Sequence, residues 1–224
     1  MMRNELTELV FLLDRSGSMG GLESDTIGGY NALLEKQKSV PGEAIVTTVL
    51  FDDHYELLHD RITIQGIRLI TGNDYYVRGS TALLDAIGKT ISKIASAHQH
   101  TDESQRPGKT LMVITTDGLE NASREFTYQK VRQMIEYQKQ EFGWEFLFLG
   151  ANIDAISAAG RFGIQADRAV NYHADSAGTR LNYEVLSDAA SCLRASCPLD
   201  GSWKQRIDRD YQERNKKGSK QSKA

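Results

Sequence analysis

Three oxygen-bearing side chains at alternate positions, Asp14, Ser16 and Ser18, follow an apolar run at residues 9–13. Such a run is typical of a strand that is buried on both faces of a sheet. A carboxylate and two hydroxyls are hard ligands of the kind that small divalent cations prefer. Gly17 between them permits a tight loop. We therefore predict that this loop contributes to a metal site, although each side chain could instead cap a turn or a helix.

Two later segments place similar groups beside predicted secondary structure. Thr81 directly precedes an apolar-periodic stretch that predicts a helix, and Asp117 follows a β-branched run at residues 109–116 that predicts a buried strand. Taken singly, Thr81 could be a helix N-cap, and Asp117 with Gly118 could be an ordinary turn. The occurrence of such groups at successive strand ends of one chain favours a single shared site.

The elements that would position these groups alternate along the chain. We predict strands at 8–14, 44–51, 109–116, 144–149 and 169–172, an antiparallel edge strand at 55–60, and helices at 24–38, 82–97, 126–141, 153–161 and 177–195. Strands that alternate with helices through short loops predict an α/β fold, with a mainly parallel, doubly wound sheet and helices on both faces. Ligands of such sheets bind beyond the carboxyl ends of the strands, where the winding reverses.

The combined pattern Asp14-x-Ser16-x-Ser18, Thr81 and Thr116-Asp117-Gly118 resembles the metal-ion-dependent adhesion site (MIDAS) of von Willebrand factor A-type (vWA) domains. The resemblance covers about residues 8–195. It implies a Rossmann-like sheet with one antiparallel edge strand. It also implies Mg²⁺ or Mn²⁺ held by the hydroxyls of Ser16, Ser18 and Thr81, with Asp14 and Asp117 acting largely through bound waters. The ligand of that ion is then an Asp or Glu carboxylate of a partner protein.

The chemistry of these ligands fits binding better than catalysis. Neutral hydroxyls leave the ion electron-poor, and carboxylates that act through water orient the ligands without neutralising the ion. The leading hypothesis is therefore a metal-dependent protein-binding module for adhesion or scaffolding. The alternative is a Mg²⁺-dependent phosphoester hydrolase that uses the same ion. We expect no enzyme, because the sequence has no phosphate-binding loop, aspartyl-phosphate motif or nucleophile elbow, and its five histidines are scattered.

Composition adds limits to the class of protein. The chain has 224 residues, 40% of them hydrophobic and 25% charged, with a formal net charge of −3, which is ordinary for a globular domain. No segment approaches the roughly 18 apolar residues of a membrane span. The N-terminus carries no apolar signal region, so we expect a cytoplasmic location and no membrane partner. The cysteines, Cys192 and Cys197, are expected to be reduced thiols in a C-terminal helix.

We predict one domain at residues 1–200 and a basic, disordered tail at 201–224, whose charges include Arg214 and Lys216. A nucleic-acid partner is not expected, except through this tail as a third hypothesis. Beside the metal loop, Arg15 and Met19 could touch a partner, or could be an exposed arginine and a packing methionine. His98 is predicted to lie in a polar, exposed loop.

Overall fold

The apolar runs of the sequence form six strands of one sheet in a computed structural model that describes residues 3–221, with side chains described for residues 5–216. The strands are β1 (Arg3–Asp14), β2 (Ala44–Phe51), β3 (Tyr55–Thr63), β4 (Pro107–Thr116), β5 (Glu145–Ala151) and β6 (Ala169–Tyr172). Their order across the sheet is β3-β2-β1-β4-β5-β6. All neighbouring strands are parallel except β2 and β3, so β3 is an antiparallel edge strand.

The predicted fold class, a mainly parallel Rossmann-like sheet with one antiparallel edge, is confirmed. The chain winds from β1 to β2 on one side and crosses back to β4 on the other. The winding therefore reverses between β1 and β4, where Asp14 and Thr116 end their strands side by side. Loops at this point meet at one edge of the sheet, which is the usual place for a ligand in such folds.

Helices cover both faces of the sheet because both faces of the central strands are apolar. The helices are α1 (Glu23–Lys38), α2 (Leu83–Gln99), α3 (Tyr128–Phe142), α4 (Ala155–Arg161), α5 (Ser176–Arg194) and α6 (Gln205–Gln221). Along β1, Leu9, Phe11 and Leu13 pack with α1 and α5, whereas Val10 and Leu12 pack with α2 and α3. Successive side chains of a strand point to opposite faces of the sheet, so the core is divided into two layers, one on each face.

The predicted disorder of the tail is wrong for most of its length. Residues 201–221 form a short 3-10 turn and then helix α6, which packs against β6 and α5. Ile207 is buried in the core, and the indole N–H of Trp203 donates to the carbonyl of Asp167 at 2.7 Å. These few apolar anchors lie in a polar sequence, so composition alone did not reveal them. Residues 222–224 of the predicted tail lie outside the described residues.

The predicted exposure of His98 is also wrong. Helix α2 continues to Gln99, and the half-buried His98 has its Nε2 2.7 Å from Glu8 Oε2. Glu8 is fully buried in β1 and also pairs with Arg61 at 3.0 Å. A buried carboxylate needs such partners. The partners of Glu8 could not be located from sequence spacing, because they come from β3 and α2.

Among residues 3–221, no helix has the length and apolar character needed to cross a bilayer.

The packing of α6 leads to a stability prediction. Ile207 is 1% exposed, so Ile207→Ala would leave a cavity and should lower the free energy of unfolding by about 2–5 kcal/mol. Ile156→Ala is the matched control, because Ile156 is 40% exposed and its truncation should change stability by no more than about 0.5 kcal/mol. Urea denaturation measures both. Equal unfolding midpoints for the two variants would mean that α6 does not stabilise the domain.

Candidate metal site

Asp14 anchors the site at the junction of the two central strands. It ends β1 and is fully buried. One carboxylate oxygen, Oδ1, accepts a hydrogen bond from the backbone N–H of Ser16 at 2.7 Å. The other, Oδ2, accepts from the hydroxyl of Thr116 at the end of β4, at 2.5 Å. Asp14 therefore fixes the loop that follows β1 and joins it to the neighbouring strand.

The two serine hydroxyls and Asp117 form a chain of short contacts. Ser16 Oγ lies 3.1 Å from Ser18 Oγ. Ser18 Oγ donates to Asp117 Oδ1 at 2.5 Å. Ser16 and Asp117 are buried, whereas Ser18 is exposed to solvent. The predicted ligands that follow β1 and β4 therefore lie together, and Ser18 is the one that faces solvent.

Thr81 reaches the same place through the loop that precedes α2. This loop is held to the loop after β1 by two backbone bonds, from Gly17 N to Gly79 O at 3.1 Å and from Arg78 N to Arg15 O at 2.9 Å. A methyl group built on Gly118 would lie 3.1 Å from Thr81 Oγ1 and 3.2 Å from Ser18 Oγ. Both hydroxyls therefore approach the backbone next to Asp117, and a glycine there leaves them room.

The carboxylates of Asp14 and Asp117 are buried close together, and this raises the pKa of both. Burial raises the pKa of Asp14 to about 6, against hydrogen bonds from Thr116 and Ser16 that lower it, and the nearby Asp117 raises it further. Burial also raises the pKa of Asp117, against the lowering effect of the Ser18 hydroxyl. Desolvation and the proximity of two acids both disfavour the ionised forms. The site would therefore be stabilised by a nearby positive charge.

The donor set fits a divalent cation. Among the described residues, neither Asp14 nor Asp117 has a basic side chain as an ion-pair partner, and Asp117 Oδ2 is buried without a hydrogen-bond partner. Buried polar atoms in folded proteins are nearly always paired, so an unpaired carboxylate oxygen indicates a ligand or water. Hydroxyl and carboxylate oxygens are the donors that Mg²⁺ and Mn²⁺ prefer.

Arg15, the residue between the first two candidate ligands, points away from them. It is fully buried, and its Nε donates to Asp52 Oδ2 at 2.8 Å. Arg78 donates to the same oxygen at 2.7 Å. Burial raises the pKa of Asp52, but hydrogen bonds from Arg78, His54 and Arg15 outweigh it, so the pKa lies below its usual value. Both alternatives that the sequence offered for Arg15 are wrong, because its side chain is neither exposed nor available to a partner. Met19 is buried, as expected for a packing methionine.

Three residues that position the site were not predicted to do so. The side-chain oxygen of Asn121 accepts from Thr81 N at 2.9 Å. Glu120 accepts from Leu84 N at 2.8 Å, and Asp85 accepts from three successive backbone N–H groups at 124–126, each at 2.9 Å. Together they fix the loop after β4 to the start of α2. The signal that could have revealed Asp85 is a carboxylate on the buried face of an amphipathic helix.

A second group of possible ligands, Asp52, Asp53 and His54, follows β2. Asp52 is already bound by two arginines, and its Oδ1 accepts from His54 N at 2.7 Å. A carboxylate with these partners has little capacity left for an ion. The group is better explained as the connection that holds Arg15 and Arg78 beside the candidate site.

Comparisons with known proteins rest on structure alone. No family model and no curated protein sequence matches the chain. Solved structures do match. Proximal thread matrix protein 1 from the mussel byssus aligns over 85% of this chain and 47% of its own, with a TM-score of 0.57 and 12% identity. A von Willebrand factor type A protein from Catenulispora acidiphila aligns over 84% and 43%, with a TM-score of 0.53 and 12% identity.

A third match is the ArnB paralog VWA2 from Sulfolobus acidocaldarius, with a TM-score of 0.51 and 19% identity over 84% of this chain and 46% of the other. This chain therefore spans about half the length of the solved chains that it matches. Another structure of the mussel protein is described as having a zinc-occupied MIDAS motif. The identities are too low to carry function across. They establish the architecture: this chain has the fold of a vWA domain.

Proposed function

We propose that this chain binds Mg²⁺ or Mn²⁺ through Asp14, Ser16, Ser18, Thr81 and Asp117, and uses the ion to hold an acidic residue of a partner protein. The observation that carries the proposal is the meeting of these side chains at the point where the sheet reverses its winding. The buried carboxylates there lack a neutralising base among the described residues, as a cation site requires.

The division of roles follows from the chemistry of the side chains. The hydroxyls of Ser16, Ser18 and Thr81 would bind the ion directly, whereas Asp14 and Asp117 would orient these hydroxyls and bound waters. The ion supplies Lewis acidity toward an external carboxylate. Because three of its ligands would be neutral, binding of an additional anion to the ion would remain favourable. The exposed position of Ser18 supports access from solvent.

The choice of Mg²⁺ or Mn²⁺ over zinc rests on the ligands. Zinc sites in proteins are dominated by Cys and His, and this candidate site contains only oxygen donors. The mussel protein described with zinc in its motif nevertheless supports a divalent ion of some kind in this fold. The identity of the ion is therefore a part of the proposal that titration with several metals can test.

The first prediction concerns metal affinity. Calorimetry should detect one site for Mg²⁺ or Mn²⁺, and Ser18→Ala should weaken binding by at least about tenfold because it removes a ligand. Ser24→Ala is the matched control, since Ser24 is an exposed hydroxyl at the start of α1. It should bind metal like the unmodified chain. Absence of metal uptake, or equal affinity in both variants, would contradict the proposed site.

The second prediction concerns the partner. Immobilised protein should retain the partner in Mg²⁺ and release it on chelation with EDTA, and the Ser18→Ala protein should fail to retain it. Once a partner is identified, replacing its acidic residues one at a time with the matching amide should locate a single essential carboxylate. Retention that ignores EDTA, or survives every such replacement, would rule out the proposed mode of binding.

A catalytic role is less well supported than binding. Hydrolysis of a phosphoester at a metal ion generally needs a group that accepts or donates protons. All five histidines of the sequence have other contacts: His54 with Asp52, His59 with Thr48, His98 with Glu8, His100 with Ser96, and His173 with Tyr211. We therefore propose that the chain is not an enzyme. A cytoplasmic location stays a prediction of the sequence.

An activity screen tests this part of the proposal. Generic phosphate monoesters and diesters incubated with the protein and Mg²⁺ should show no turnover above that of Asp117→Asn, a variant that removes one carboxylate charge from the site. The same preparation must bind metal in the calorimetric measurement, so that a negative result cannot come from an inactive sample. Metal-dependent turnover that the Asp117→Asn variant loses would favour the hydrolase instead.

A further inference from the structure

The two cysteines of the sequence, Cys192 and Cys197, lie on either side of the point where α5 ends. Cys192 is in the last turn of the helix, and Cys197 lies beyond its last residue, Arg194. The prediction that both thiols lie in a helix therefore holds for Cys192 only. A continued helix would turn side chains at this spacing to different faces. Their relative position therefore depends on how the helix ends.

The helix ends in a turn that brings these two residues together. The backbone N–H of Cys197 donates to the carbonyl of Cys192 at 2.9 Å, and that of Ser196 donates to the carbonyl of Leu193 at 3.0 Å. Ser196 has a φ of 60°, in the left-handed region. These two bonds around a left-handed residue form a Schellman motif, in which the side chains at the ends of the outer bond frequently touch. In this chain both of those side chains are thiols.

The contacts of the Cys192 side chain show that it points toward Cys197. Its Sγ donates to the carbonyl of Pro198, the residue after Cys197, at 3.7 Å. Burial raises the pKa of the Cys192 thiol, and the hydrogen bond and charge of Cys197 raise it further. Both are free thiols; Cys197 is exposed, whereas Cys192 is half-buried. The two sulfurs are therefore neighbours, one open to solvent and the other behind it.

Other elements of the fold hold this turn in place. Lys109, near the start of β4, donates to the Arg194 carbonyl at 3.0 Å and to the Ser196 hydroxyl at 2.6 Å. The Arg194 guanidinium in turn donates to the carbonyl of Gly42, in the connection between α1 and β2, at 2.8 Å. The backbone between the thiols is thus fixed before any bond joins them. Groups that a fold holds together in this way react with each other at a high effective concentration.

We propose that Cys192 and Cys197 are a redox-active pair that forms a reversible disulfide by exchange with a low-molecular-weight disulfide such as glutathione disulfide. The exposed Cys197 loses its proton to solvent, and its thiolate attacks one sulfur of the small disulfide, whose S–S bond breaks. Cys192, also as a thiolate, then attacks the Cys197 sulfur of the mixed disulfide. Each small thiolate that leaves takes up a proton. Two electrons and two protons therefore pass from the protein to glutathione disulfide, which becomes two thiols.

The proposed disulfide would close a ring across the end of α5 and fix the start of the segment that leads to α6. The pair lies beside Lys109, near the start of β4, whereas the candidate metal site lies at the other end of that strand, at Thr116. It therefore does not rest on the proposed metal or its acidic partner. An exposed cysteine makes the bond accessible to thiols in solution, as in regulatory disulfides.

Intact mass spectrometry of the full chain in glutathione buffers tests the proposal, with EDTA present to prevent metal-catalysed oxidation by air. The protein should lose about 2 Da as the fraction of glutathione disulfide rises, and regain it in reduced glutathione. Cys192→Ser should instead keep glutathione attached to Cys197, since no second thiol displaces it. Cys197→Ser should react at least about tenfold more slowly, because its remaining thiol is half-buried.

The unfolded chain is the control for geometry, because in urea the two cysteines keep their spacing but lose the turn. The equilibrium constant for disulfide formation should be at least about tenfold larger in the folded chain, since the fold has already brought the thiols together. The oxidised protein should then also melt at a higher temperature than the reduced protein, because a bond that the fold favours stabilises the fold.

Three results would overturn the proposal. The first is a folded chain that carries glutathione on its cysteines and forms no internal disulfide. The second is an equal equilibrium constant in the folded chain and in urea, which would mean that spacing alone joins the thiols. The third is a disulfide-linked dimer on a non-reducing gel in place of the internal bond, which would mean that Cys197 reacts between molecules.

Discussion

The carboxylate of Asp14 is the group on which the candidate metal site depends. Its two oxygens bind the backbone of its own loop and the hydroxyl of Thr116 on the neighbouring strand, so it sets the distance between the two central loops. It does this while fully buried, which raises its pKa to about 6 and disfavours its ionised form. A fold that buries an acid here gains a fixed geometry at the cost of an uncompensated charge, and a cation removes that cost.

The same loop separates charges of opposite sign by sending consecutive residues in opposite directions. Asp14 faces β4 and the hydroxyl ligands, whereas Arg15 turns toward β2 and pairs with Asp52. Had Arg15 reached Asp14 instead, its guanidinium would have supplied the positive charge that we assign to the ion. The pairing of Arg15 with Asp52, reinforced by Arg78, therefore leaves the two acids of the candidate site without a basic partner among the described residues.

The sequence predicted the architecture well because the relevant signals are local. Buried strands such as 44–51 are apolar and β-branched runs, and their alternation with amphipathic helices defines the fold class. The joint pattern of five polar residues at strand ends also predicted which side chains meet. The burial of Arg15, the pairing of His98 with Glu8 and the docking of α6 were missed. Each depends on partners more than 30 residues away in the chain, and spacing does not encode such partners.

One carboxylate oxygen of the candidate metal site, Asp117 Oδ2, is buried without a hydrogen-bond partner among the described residues. The other oxygen of the same carboxylate, Oδ1, accepts a hydrogen bond from the Ser18 hydroxyl. The two terminal guanidinium nitrogens of Arg194, by contrast, donate to the carbonyls of Gln37, Val40 and Gly42, although its buried Nε has no partner in the part of the chain that the structure describes.

The unpaired oxygen of Asp117 is a physical reason to connect the candidate metal site with function. Leaving a buried polar group unpaired destabilises a fold by about 1–3 kcal/mol, a large part of the total stability of a small domain. A substitution of Asp117 to an apolar residue would remove that penalty. The presence of Asp117 at this position is therefore better explained by what it binds than by what it contributes to folding.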